Sequence, residues 1–144
     1  MSSMAEIKIS ELSIGDWISD KNGIAAQVRG IECWSDGYVV NVRTKAGTIT
    51  NLTVGGVLPI PLLPKILEKN GWLPPRKAIE LDTWWWTNGV DKAIEAYEYE
   101  GEWHLTIIEQ KEIQYRNRVG IGLKYVNQLQ NALRLAGVEK EIEL

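Results

Sequence analysis

Four turn signals fall in quick succession early in the chain, and their spacing restricts the fold more than any other feature. They are Lys21-Asn22-Gly23, Ser35-Asp36-Gly37, Ala46-Gly47 and Gly55-Gly56. Asn-Gly and Asp-Gly pairs tolerate the left-handed backbone that a tight hairpin requires. Between the signals lie apolar and β-branched runs at 12–18, 24–33, 38–43 and 48–54. Such runs suit strands better than helices because a branched side chain packs well on a pleated surface. Short strands joined by turns every 8 to 12 residues, on the order of the spacing seen here, predict a small barrel or a strongly curled meander. Gly55-Gly56 and Pro59-Ile60-Pro61 then end the pairing, since proline offers no N–H to a ladder.

The remainder predicts a short helix, a second sheet and a closing helix. Pro64 suits the first position of a helix over 64–70, and Gly71 suits the residue after it. Pro74-Pro75 forms a stiff link, which places a boundary between residues 1–72 and 73–144, with both parts expected to form one compact unit. Strands are expected over 77–87, 93–99, 103–109 and 119–123, with turns at Asn88-Gly89 and Glu100-Gly101-Glu102. Val126, Leu129, Leu133 and Ala136 recur at helical spacing over 124–136, and Gly137 supplies a stop. The tail after it is read as a short edge strand or a frayed end. The expected class is α+β, mainly β: a small amino-terminal β-meander or barrel, a short helix, a second antiparallel sheet and a carboxy-terminal amphipathic helix.

Composition narrows the chemistry. Hydrophobic content of 44% and charged content of 24% are those of a folded globular chain. A net charge of −3 gives no diffuse attraction to phosphate backbones, so nucleic acid is an unfavoured partner. The apolar runs are too short to span a bilayer, no secretory signal is visible at the start, and Cys33 is the only cysteine. A cytoplasmic location is expected, without membrane contact. With one histidine and one cysteine, neither a structural zinc site nor a Cys–His nucleophile can be assembled in the usual way. His104 is expected to point outward from its strand, and Cys33 to be a small buried hydrophobe. Gly120-Ile121-Gly122 opens like a dinucleotide fingerprint, but Lys124-Tyr125 follows where a third glycine is needed. Glu80 and Asp82 are read as solvated carboxylates rather than an acid–base pair. No catalytic residue, metal or cofactor is expected, and the chain reads as a non-enzyme.

The aromatic residues point to binding instead. The chain has 7 Trp, 5 Tyr and no Phe, so nearly every ring carries a polar group that favours a half-wet position. Trp84-Trp85-Trp86 lie in one expected strand, where side chains alternate between faces. Extending the parity back through the strand puts Ile79, Leu81, Thr83 and Trp85 on the apolar side. Glu80, Asp82, Trp84 and Trp86 fall on the other. That second face is either a binding surface or a second core face under the closing helix. Arg116-Asn117-Arg118, expected in a loop, offers planar donors for phosphate. The candidate ligand-binding residues are therefore Asp82, Trp84, Trp86, Arg116 and Arg118.

Two stretches add a resemblance. Pro59-Ile-Pro-Leu-Leu-Pro-Lys-Ile-Leu-Glu-Lys-Asn-Gly-Trp72 and Ile121-Gly-Leu-Lys-Tyr-Val-Asn-Gln-Leu-Gln-Asn131 resemble segments of a group of uncharacterised small proteins from phages and prophages of gut bacteria. Leu12-Ser-Ile-Gly-Asp-Trp-Ile18 is similar to their amino-terminal turn, and the three matches cover about a quarter of the chain. Asn127 stands where that group commonly has His, and Leu63 where a Thr cap is usual. The resemblance implies a phage or mobile-element origin and carries no established activity. Three functions remain open. The first is a counter-defence protein that sequesters a nucleotide-like host signal. The second is a protein–protein module, either a virion or assembly component or an inhibitor of a host protein, with self-association as a homo-oligomer included. The third is a binder of single-stranded nucleic acid.

Overall fold

At the first hairpin signal the Asp20 carboxylate accepts the backbone N–H groups of Asn22 and Ile24, at 2.8 and 2.9 Å, and fixes the bend. The computed structural model, which describes residues 7–75, 83–88, 92–110 and 114–144, is mainly β. Its first sheet is an antiparallel meander of β1 (Trp17–Ser19), β2 (Ala25–Trp34), β3 (Gly37–Thr44) and β4 (Ile49–Thr53), in that order. Val28 pairs with Val42 but Gly30 pairs with Asn41, so Arg29 is an extra residue in β2. A bulge of this kind bends its strand and increases the local twist, which accounts for the curl of the sheet.

Ala26, Val28, Val40 and Val42 line the inside of the curl, with Ile7, Leu12, Ile18 and Val57 completing one cluster of buried side chains. Beyond the bulge the hairpin leaves this core behind. Ile31, Cys33, Trp34 and Tyr38 are all exposed, so Cys33 is not the buried hydrophobe its apolar strand suggested. The reason is length: β2 and β3 run past the last residues that pack against the cluster.

The chain divides into two compact units, at a different place from the Pro74-Pro75 link. Residues up to Pro61 group with 125–131, and residues 62–124 group with 132–144. The carboxy-terminal helix α2 (Val126–Leu135) opens with the first unit's residues. Gln128 accepts the Tyr125 N–H at 3.1 Å, closing the first turn as the glutamine of a capping box does. Gln130, buried, accepts the Trp17 N–H at 2.8 Å and donates to the Gly15 carbonyl at 2.9 Å. These bonds join residues more than a hundred positions apart. Asn127 is also buried, and its Oδ1 meets no hydrogen-bond partner among the described residues.

In the second unit α1 (Pro64–Lys69) starts with Pro64 at its head, and Leu63 supplies no side-chain cap. The second sheet follows, antiparallel in the order β5 (Thr83–Thr87), β6 (Lys92–Tyr99), β7 (Glu102–Gln110) and β8 (Gln114–Leu123). Glu100 and Gly101 both take positive φ, 51° and 79°, giving the two-residue hairpin whose twist matches its strands. β8 is longer than expected. Arg116, Asn117 and Arg118 pair with Ile108, Ile107 and Thr106, so they belong to a strand and not to a loop. Their polar character misled because an outer strand presents polar residues as readily as a loop does. Between the pairs Trp103–Leu123 and Leu105–Val119, three residues of β8, Gly120, Ile121 and Gly122, stand against the single His104 of β7. The two glycines thus serve an irregularity in the ladder, and a Cβ at Gly122 would collide with the Glu102 side chain.

The tail neither pairs as a strand nor frays. Buried Asn70, which caps α1, donates to the Glu143 carbonyl and accepts the Glu143 N–H, both at 2.7 Å. No helix among the described residues is long and apolar enough to cross a membrane.

Gln130→Ala should destabilise the protein by about 1–3 kcal/mol in urea unfolding, because it removes the buried acceptor of the Trp17 N–H. The Gly15 carbonyl keeps a second donor, Gln27 Nε2 at 3.1 Å, so the loss falls mainly on that one group. A change of less than about 0.5 kcal/mol would show that water replaces the amide without cost.

Candidate binding face

Residues directly opposite in an antiparallel ladder share a face, so the pairing of β5 with β6 decides which indoles point where. Trp84 pairs with Ala96 and Trp86 with Ile94, and both partners are buried. Trp85 pairs with half-buried Glu95, and Thr83 with half-buried Tyr97. Trp84 falls with Trp86 and Thr83 with Trp85, as alternation requires, but the packed side is that of Trp84 and Trp86. Trp84 and Trp86 stand on the packed side of the sheet, and Trp85 stands on the open side. Asp82, with Ile79, Glu80 and Leu81, lies outside the described residues.

Packing around Trp86 agrees with this. Its ring lies 6.4 Å from that of buried Trp72, with the planes tilted by 36°. The Lys140 ammonium sits 5.4 Å from the Trp86 ring centre and also donates to the Asn70 carbonyl. Burial pushes the Lys140 ammonium below its usual pKa, against the opposing pull of Glu143. On the same side of the sheet Trp103 is buried and donates its indole N–H to the Leu62 carbonyl at 2.9 Å. Trp84 and Trp86 remain half-buried, but they are not a free-standing pair of exposed rings.

The open side is built from a different set of residues. Leu73 bridges to Trp85 through two backbone hydrogen bonds of 2.7 and 3.0 Å. The register then continues through Glu95 and Thr106 to Arg118, forming one row across the sheet. In the next row Thr83, Tyr97 and His104 stand opposite one another. The Tyr97 and His104 rings are stacked, with centres 5.2 Å apart and planes within 20°. Tyr99, which is 60% exposed, tilts against the same His104 at 6.3 Å. His104 is half-buried on this outer face, as its place in an alternating strand implied. The face therefore joins Trp85, Tyr97, Tyr99 and His104, which the sequence did not single out together. Their signal was the mixed composition of residues 93–106, where aromatic and polar residues alternate with small apolar ones.

The open face can offer flat ring surface, the Glu95 carboxylate, the Thr106 hydroxyl and the imidazole. Among the described residues no group of three or more His, Cys, Asp or Glu is placed to hold a metal ion. No family model, curated protein or solved structure matches the chain.

Trp86→Ala should cost about 2–3 kcal/mol in urea unfolding, less than a fully buried ring because Trp86 keeps some exposure. Tyr99→Ala, on the open side, should stay within about 0.5 kcal/mol of the parent. Equal losses at the two positions would contradict the assignment of faces.

Proposed function

We propose that the protein is a non-catalytic accessory protein of a phage or mobile element, which sequesters a small nucleotide-like ligand of the host. The ligand's flat ring is held on the open face of the second sheet. The observation that carries this reading is the stacked Tyr97–His104 pair beside Trp85 on a half-exposed face. Aromatic platforms on sheets hold nucleobases by stacking, at about 1–3 kcal/mol per base. Arg118 occupies the register position that ends the row from Leu73 and Trp85. The negative net charge favours one small ligand over a long phosphate backbone. Scarce histidine and cysteine speak against catalysis, and the phage setting rests on the resemblance of residues 59–72 and 121–131.

A protein partner is the second reading, supported by the exposure of Tyr99 and Leu73 at the ends of this face. Tyrosine and tryptophan are common anchors of interfaces, and a second copy of the chain is one such partner.

Isothermal titration against a panel of cyclic and linear nucleotides tests the first reading. Saturable heats are expected for at least one of them, and Trp85→Ala should weaken that binding about tenfold or more. Flat heats across the panel, or an affinity indifferent to Trp85→Ala, would overturn it. A dimer in native mass spectrometry that dissociates on Tyr99→Ala would favour the protein partner.

A further inference from the structure

The first sheet carries a second aromatic feature, independent of the face just described. On the outward side of the hairpin, Glu32 pairs with Val39, Val39 with Thr53, and Asn41 with Asn51. Here an open hollow of about 490 Å3 is lined by Trp34, Asp36, Tyr38, Val39, Asn51 and Thr53, together with Gly37 and Leu52. That volume is in the range of small-molecule sites, roughly 300–1,000 Å3. Trp34 is 55% exposed, yet it is held in place: its indole N–H donates to the Glu32 carboxylate at 3.0 Å. Asn51 is fixed as well, accepting a 2.8 Å hydrogen bond from Asn41 Nδ2.

Charge selects the ligand. The Asp36 carboxylate is in the lining and Glu32 is bonded to the wall, while no lysine or arginine lines the hollow. A phosphate would meet two negative groups there with no cation to offset them. An indole ring attracts cations through the negative face of its quadrupole, and tryptophan does so better than other aromatic residues. Hydrogen bonding of the indole N–H to a carboxylate adds electron density to that ring and strengthens the attraction. We propose that this hollow is a binding site for a small organic cation of the alkylguanidinium or alkylammonium class. The cation lies against Trp34 and is paired with Asp36.

The indole resonance of Trp34 in 1H–15N spectra, identified with Trp34→Phe, provides the test. Ethylguanidinium and ethylammonium are titrated at constant ionic strength, with methyl glucoside and adenosine monophosphate as neutral and anionic comparisons. A saturable shift of the Trp34 signal is expected with at least one of the cations, and Asp36→Asn should weaken it by about threefold or more. Asparagine is favoured in turns, so the hairpin should survive the change, and an otherwise unchanged spectrum verifies this. Three results would overturn the proposal: no saturable shift with either cation, a stronger response to the sugar or the nucleotide, or indifference to Asp36→Asn. A blocked Gly-Arg-Gly peptide that bound at least about tenfold more tightly than ethylguanidinium would replace the small ligand with the side chain of a protein partner.

Discussion

Each buried backbone polar group must find a partner, and in this chain two side-chain amides meet that demand where secondary structure does not. Gln130 supplies an acceptor to Trp17, in a strand of only three residues, and a donor to Gly15 just before that strand. Asn70 does the same for the tail, pairing with both backbone groups of Glu143. In each case one amide offers donor and acceptor side by side, which matches the spacing of a backbone strand. The first strand and the last residues would otherwise expose unpaired groups at the margins of their units. The amides let β1 stay short and let the tail remain irregular without losing order.

The same accounting decides where chemistry is available. Packing occupies one side of the second sheet, with Trp72, Trp86, Trp103 and Lys140 committed to one another or to carbonyls. The opposite side carries the half-exposed rings of Trp85, Tyr97 and His104 and the exposed ring of Tyr99. In the first sheet the bulge at Arg29 curls the strands around a core that ends before the hairpin does. The hairpin tip is therefore left to solvent, along with Trp34 and Tyr38. One surface is the side of a sheet turned away from its packing, and the other is a hairpin that runs past its core.

Much of the fold was legible because its signals are local. Asn22-Gly23, Asp36-Gly37 and Glu100-Gly101 depend on backbone preferences that neighbours cannot easily overrule. Likewise the stripe of Val126, Leu129 and Leu133 identified α2 through its period alone. The failures share a different cause. Arg116-Asn117-Arg118 looked like a loop because polarity does not distinguish a loop from an outer strand. Cys33 looked buried because an apolar run does not report where its core stops. For the three consecutive indoles alternation left two readings of the Trp84 and Trp86 face, open or packed, and the pairing with Ala96 and Ile94 places it on the packed side. Nothing in the composition of residues 83–87 says which neighbour they pair with.

The sequence by itself determined that this chain makes short antiparallel strands with tight turns and one closing helix. It also determined that the chain lacks the histidines and cysteines for the usual metal and thiol chemistry, since residue inventory and local backbone preference need no partner to act. Only the tertiary structure decided which tryptophans are spent on packing and which stay open. That choice depends on cross-strand register, and moving a strand by one residue sends every side chain to the other face. Trp85, and not Trp84 or Trp86, faces the open side because Glu95 is the residue opposite it.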